Sequence, residues 1–336
     1  MSALTLLDWA KRLDPNGRTS TVVEMLGQTN EVLDDMLWLE GNLPTGHRTT
    51  VRTALPTVGF RQLNQGVTPS KSTTAQVDEN CAIIEDMCEV DIDLAKLNGN
   101  TAEFRLSEAA AHIEAISQKQ AYSLFYGNAG TDPEQYYGLA PRYNDTNGTT
   151  GENIIDAGGS GSDNSSIWLV VWGANSIHGI YPKGSQAGLV HEDMGEQLIQ
   201  TATGIGTGRM KAYVDRWQWK CGLAVRDWRY AVRIANVDIS ALIADGSGGS
   251  VKLMEYMLKA IHRIPSLGMG KPVFYANRTV REMLDIQAMN KSNLQLSVGQ
   301  EEGKLKTAFR GIPIRTVDAL TEAETRVTSS TVSYGG

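Results

Sequence analysis

The chain has 336 residues, 41% of them hydrophobic, enough for two domains or one large one with a sizeable core. Its formal net charge of -7 argues against a dedicated nucleic-acid binder, which concentrates Lys and Arg against phosphates, and leaves room only for weak, non-specific contact with DNA. Three cysteines, Cys81, Cys88 and Cys221, form neither a disulfide framework nor a CxxC pair, and fit a reducing compartment as small buried hydrophobes.

The opening segment, MSALTLLDWAKRLD, is amphipathic but lacks the basic stretch and apolar run of a secretion signal. No apolar run approaches the about 20 residues that a membrane span requires, so the expectation is a soluble chain, intracellular at synthesis. Residues 1–45 carry two short helical patterns separated by the stop signal Asp14, Pro15, Asn16, Gly17. The second, around Val32, Leu33, Met36, Leu37 and Leu39, ends at Gly41. Both are too short for a domain and read as an arm that lies on something else.

From Gly46 the composition turns to Thr, Val, Gln and Ser, which favours strand but offers little core. Two runs, Thr49 to Leu63 and Ser72 to Cys81, flank a turn-rich tip from Gln65 to Pro69, and predict a long hairpin whose legs reach roughly 50 Å at about 3.3 Å per residue. An isolated hairpin is marginal in water, so this one needs a surface that its own chain does not offer. The acidic residues Glu85, Asp86, Asp91 and Asp93 alternate with Ile84, Val90, Ile92 and Leu94 and read as the polar face of a strand, not as a catalytic pair.

Asn100 to Gly127 is the clearest helix, with Leu106, Ala109, Ala110, Ile113, Ile116, Ala121 and Leu124 on one stripe. Asn100 with Glu103 makes a capping pattern and Gly127 a stop; at 1.5 Å per residue the helix spans about 40 Å. Loops rich in Gly, Asn, Asp and Ser follow, holding the Asn-x-Ser/Thr sequences at Asn144, Asn147 and Asn164; these and the one at Asn277 read as ordinary loop and cap residues. SIWLVVWG (Ser166–Gly173) is a buried strand, and IHGIYP continues the sheet.

In Tyr213 to Val237, Trp217, Trp219, Cys221, Leu223 and Val225 share one parity, and Trp228, Tyr230, Val232 and Ile234 the other. The buried face therefore switches near Arg226 and Asp227, which predicts a bulge or sharp bend in a Trp-rich ribbon. Beyond it come a helix from Val251 to Ile264, a strand Pro272–Ala276, a helix Asn277–Met289 and a strand Gly311–Leu320. That alternation predicts a compact α/β unit.

No catalytic signature stands out: GxSxG, HExxH and P-loop patterns are missing. Gly204, Gly206 and Gly208 resemble a phosphate loop with the wrong third spacing, and read as a flexible turn. His178 and the run His191, Glu192, Asp193 fall short of a closed metal site's four ligands. What the sequence offers instead is an arm, a coreless hairpin, a long helix and Trp-rich sheet, elements that make sense where neighbouring copies supply the missing surface.

In order and spacing, LFYGN (Leu124–Asn128), GTDPEQYYGLAPRY (Gly130–Tyr143), SSIWLVVWG, GIYPKGSQAGLVHEDMGEQ, GLAVRDWRYAVRIANVDIS and GIPIRTVDAL resemble the major capsid proteins of tailed bacteriophages. The likeness is to the Hong Kong 97-type fold, and most of all to short-tailed phages of the epsilon15 kind. It implies an α+β fold with an N-terminal arm at 1–45, an extended hairpin termed the E-loop at 46–98, and a P-domain at 99–240. The P-domain would hold a spine helix at 100–127 and the Trp-rich strands at 213–237; an A-domain at 241–325 and a tail at 326–336 would follow. The P-type strands precede the A-type unit here, which implies a permuted strand order.

The implied function is structural and non-enzymatic: hexamers and pentamers build an icosahedral shell enclosing double-stranded DNA, with no cofactor, metal or membrane involved. Portal, scaffolding and decoration or staple proteins are the implied partners, the virion capsid the implied location, and the host cytoplasm the place of assembly. Since the chain starts directly with its arm, scaffolding is expected from another protein. Val67, Pro69 and Lys71 at the hairpin tip are expected at subunit contacts, Lys71 being the plausible donor should neighbours cross-link as in some relatives. Arg226, Arg229 and Arg233 are expected to form a basic face that pairs with a neighbour's carboxylates. The alternatives are an intracellular α/β enzyme with its site near Gly204–Gly208 and an encapsulin-like compartment shell.

Overall fold

The computed structural model describes residues 27–97, 101–200, 208–245, 252–290, 296–301 and 304–328. The first helical pattern of the arm and most of the glycine loop at 204–208 lie outside these residues. The second pattern is a single helical turn, α1 (Val32–Asp35), after which the chain straightens into β1 (Trp38–Glu40) and pairs in parallel with β6 (Ile177–Tyr181). What fixes the chain here is packing: a Cβ on Gly179 would lie 2.7 Å from the Trp38 ring and 2.8 Å from the Met36 methyl. The bare glycine lets the arm lie flat on the sheet.

β2 (Gly46–Ala54) and the first part of β3 (Thr73–Asp91) form the hairpin. Pairing stops at Ala54 with Thr73, short of the expected leg to Leu63. Pro56 lacks the N–H that a ladder needs, and Gly59 weakens any strand through it. The other leg is longer than expected: β3 runs past Cys81 and, from Cys81 to Asp91, pairs antiparallel with β8 (Arg209–Val225). The chain then turns into α2 (Ile92–Lys96), capped by the Asp91 carboxylate accepting the Asp93 N–H at 2.8 Å, where the sequence pattern suggested continued strand.

The long helix is α3 (Thr101–Tyr126). Its Ala109 and Ile116 pack on Trp217, with Ile84 and Trp219 alongside, so it lies across the even-numbered face of β3 and the odd-numbered face of β8. Only part of the expected stripe is covered: Leu106, Ala110 and Ile113 are exposed. Towards the C-terminal end Gln120, Ala121, Ser123, Leu124 and Phe125 are buried, and Phe125 lies 6.1 Å from Trp168 and 6.3 Å from Tyr275 between ring centres.

The strands fall into two groups. In one, β8 has β3 on one side and β6 and β7 (Leu189–Gln200) on the other. In the second, β5 (Asn164–Trp172) lies between β9 (Ala231–Asp238) and β10 (Lys271–Ala276). β4 (Ile154–Asp156) extends this group beyond β9, and β13 (Ile312–Thr316), β12 (Lys304–Phe309) and β11 (Leu296–Glu301) extend it beyond β10. A single pair, Trp172 with Ile177, joins β5 to β6. Helices α4 (Ile239–Asp245), α5 (Leu253–Arg263) and α6 (Arg278–Asn290) complete the second group; α6 starts where Asn277 Oδ1 accepts the Val280 N–H at 2.8 Å. Every residue of β5 is buried. Among the described residues no helix is long and apolar enough to cross a membrane.

This arrangement corrects the reading of the Trp-rich ribbon as one bent strand: it is two strands of the same sheet. β8 ends at Val225, a turn of 3-10 helix at Trp228–Tyr230 is capped by Asp227, and β9 then pairs with β5 in the other group. The parity switch at Arg226 and Asp227 marks the corner where the chain leaves β8 and crosses to the other group of strands in that sheet. Strands from both sides of residue 240 share a sheet, so a split of the chain at that point does not follow the sheets.

At the root of the hairpin, a Cβ on Gly46 would fall 2.0 Å from the Glu79 carbonyl oxygen, a backbone atom that cannot swing away. Gly46→Ala is expected to cost about 1–3 kcal/mol, as overpacking does, read as a lowered urea midpoint. An unchanged midpoint would mean that this backbone moves apart freely.

Candidate assembly surfaces

Beyond the last β2–β3 pair, residues 55–72 carry apolar side chains that none of the described residues covers. Leu55, Val58, Phe60, Leu63 and Val67 are all exposed, Val58 to 93% and Leu63 to 92%. Covering each is worth about 1.5–3 kcal/mol, so the tip amounts to a contact surface awaiting its counterpart. Val67, Pro69 and Lys71 stand together on it, all exposed. The tip is held by a few polar ties, including Ser70 Oγ donating to the Thr57 carbonyl at 2.9 Å and the Thr53 and Thr73 hydroxyls at 2.9 Å.

Charge divides sharply along this region. From Gly41 to Val77 there is no Asp or Glu, while Arg48, Arg52, Arg61 and Lys71 are present. From Ser72 to Ala95 there is no Lys or Arg, while Asp78, Glu79, Glu85, Asp86, Glu89, Asp91 and Asp93 are present. At the border, Arg48 grips Asp78 through two bonds of 2.6 Å, and this hydrogen bonding holds the exposed Asp78 carboxyl below its usual range.

The acidic stretch lies on the sheet under α3. On the helix side, Arg105 reaches Asp215 at 2.9 Å and Asp193 at 3.0 Å. His191 bonds Asp215 at 2.9 Å and stacks on Trp217 at 4.0 Å, so the His191–Asp193 run serves packing. Among the described residues no group of three or more His, Cys, Asp or Glu gathers as a metal site. His112 meets Asp86 at 2.6 Å; a hydrogen bond with Cys88, and then Asp86, raise its pKa to about 9 against the effect of burial. On the opposite face, Ile83, Met87 and Val190 are exposed around Arg216, which is held by Glu85 at 2.9 Å and Glu192 at 3.2 Å.

The three arginines at the corner do not make one outward face. Arg233 is 4% exposed: its guanidinium bonds Glu324 at 2.8 Å, Ser166 Oγ at 3.0 Å and the Tyr143 carbonyl at 2.8 Å, and lies over the Trp168 ring. The Glu324 carboxylate also accepts the Tyr126 and Ser166 hydroxyls; burial and this carboxylate push the Tyr126 pKa up. Arg229 is exposed but held at 2.7 Å by Asp227. Arg226 is half-buried, donating to Asn175 at 3.3 Å and to His47 at 3.1 Å. The expected pairing of Arg233 with a neighbour is thereby corrected: β9 has both faces covered, so its polar residue points into the core.

The chain matches a family model described as major capsid protein GP7 over residues 14–328. It belongs to that family. A solved structure of bacteriophage Epsilon15 is 36% identical, with a TM-score of 0.79, and the match covers 98% of each chain. The capsid of bacteriophage JBD30 is 9% identical with a TM-score of 0.47, covering 91% of this chain and 99% of that one. An encapsulin from Synechococcus elongatus is 11% identical with a TM-score of 0.42, covering 70% of this chain and 96% of that one. No curated protein sequence matches. The fold is the mixed α+β, Hong Kong 97 type of phage capsid proteins.

Within this capsid protein, Val67, Pro69 and Lys71, expected at contacts from the family resemblance, share their exposed segment with Leu55, Val58, Phe60 and Leu63, which that expectation did not include. The available signal was the combination of large apolar residues with Pro56 and Gly59, which denies them a strand. Two outcomes test the ties beneath the surface. Glu324→Ala leaves Arg233 buried and unpaired, and is expected to cost about 3–5 kcal/mol in urea unfolding; a negligible loss would show that the cluster relaxes. His112 has a raised folded pKa, so its stabilisation is complete below about pH 6.5 and disappears as pH rises through its folded value. The stability gap between wild type and His112→Asn should close between neutral pH and about pH 10, and a constant gap would contradict the assignment.

Proposed function

We propose that copies of this capsid protein assemble as hexamers and pentamers into an icosahedral head shell around double-stranded DNA, with no catalysis. The observation that carries this reading is the E-loop tip, an apolar and basic surface that the described residues leave uncovered. Its counterpart would be the sheet of a neighbouring copy, where the acidic stretch of β3 offers opposite charge and Ile83, Met87 and Val190 offer apolar area. Val67, Pro69 and Lys71 would lie in that contact, with Arg229 at its margin. Complementary charge orients such encounters and apolar cover supplies affinity; contacts of modest size become strong when a closed lattice makes many at once.

An acidic wall suits a container that must not adsorb its cargo, so DNA would be touched only non-specifically. Portal, scaffolding and decoration proteins would complete the particle, assembled in the host cytoplasm. A compartment shell of the encapsulin kind is not favoured, the likeness being distant. Deleting Gln65 to Ser70, all exposed, should leave the circular dichroism spectrum and thermal transition of the protomer intact while sedimentation shows no capsomers or shells. An unfolded product would place the tip in the core, and normal shells would remove it from the contact.

A further inference from the structure

The root of the hairpin holds a cluster that the assembly reading does not use. His47, second residue of β2, and His178 on β6 pack edge to face with ring centres 5.9 Å apart. His178 is wholly buried and His47 nearly so. Between β6 and β2 lies Arg226, whose Nη2 is 3.1 Å from His47 Nε2. A guanidinium can only donate, so Nε2 is the accepting nitrogen and the proton of the neutral His47 ring is on Nδ1. That Nδ1, both ring nitrogens of His178 and the Arg226 Nε are buried without a hydrogen-bond partner.

Each nearby carboxylate is already engaged. Glu79, the register partner of His47 on β3, is taken by Arg142 at 2.7 and 2.5 Å. Asp78 is bound by Arg48 and Asp227 by Arg229. A proton arriving on His47 must displace the Arg226 N–H, and one arriving on His178 adds a cation that meets only the Gly173 backbone carbonyl and no carboxylate. Buried charge without a partner is strongly unfavourable, and like charges make it more so.

We propose that His47, His178 and Arg226 form an acid-released latch, seating the hairpin against β6 while both imidazoles are neutral and unseating it when they take up protons. Burial, then Arg226, lowers both histidine pKa values, that of His178 to about 4. The sign follows: unfolded or unseated imidazoles take protons near pH 6.5, so the latch is complete above that and loses hold as pH falls towards 4. It lies where the E-loop leaves the body, so acid would free the whole hairpin while β5 and β9, which carry no histidine, stay closed.

Hydrogen exchange of the full chain at about pH 7.5 and about pH 5, corrected for intrinsic rates, reads this directly. Acid should lower protection of residues 46–54 and 73–80 by about tenfold or more while β5 and β9 keep theirs. His178→Phe removes the titrating ring and should abolish most of that response. Should it fold poorly, His47→Gln, whose amide oxygen can still accept from Arg226, should reduce the response by about threefold or more. Hairpin protection that acid leaves unchanged, loosening of the whole protein at once, or a folded variant that responds like wild type would each overturn the latch.

Discussion

β3 belongs to two structures at once, and much of the rest depends on that. From Thr73 to Asn80 it pairs with β2 alone, and from Cys81 to Asp91 it pairs with β8 under α3. Side chains alternate faces along one uninterrupted strand, so its register against β8 also fixes which face of the hairpin looks which way. Trp217 and Trp219, held beneath α3 by Ala109, Ile116 and Ile84, thereby aim an element that has almost no core of its own.

Buried polar ties join the extended pieces to this body. Asp35, in the single turn of the arm, takes Lys271 at 2.6 Å and Tyr275 at 3.2 Å on β10. Glu324 does the same for the C-terminal segment through Arg233 and Tyr126, and Asn236 exchanges two bonds of 2.8 Å with the backbone of Val327. Such groups lose much of their attraction to desolvation, so their contribution lies more in position than in stability. An apolar seam would let an extended segment slide, whereas a carboxylate with several directed donors accepts one placement.

The sequence announces elements whose own pattern determines them. α3 shows in its stripe and stop, α5, β10 and α6 in an alternation of periods, and the corner at Arg226 and Asp227 in the parity switch. Partner choice is less legible: period two says that a strand has a buried face but not which neighbour covers it, so β8 and β9 read as one ribbon. Arg233 was misread for the same reason, because in a strand covered on both sides the polar residue is a buried tie. β7, with the run HEDMGEQ, lacks the composition of a strand and becomes one through pairing with β8. Leu106 and Ile113 belong to the apolar pattern yet stay exposed, since periodicity marks an apolar face without saying whether anything in the chain lies against it.

The end of strand pairing at Ala54 and Thr73 has a further consequence, for solubility. An exposed ladder edge bearing Val58, Phe60 and Leu63 would invite strand addition from any passing copy, the route to indiscriminate fibrous growth. With Pro56 and Gly59 among those residues and no ladder beyond Ala54, the apolar tip offers side chains without a backbone template. Only a shaped surface can receive it, so the stickiest part of the molecule is also the part least able to polymerise in the wrong way.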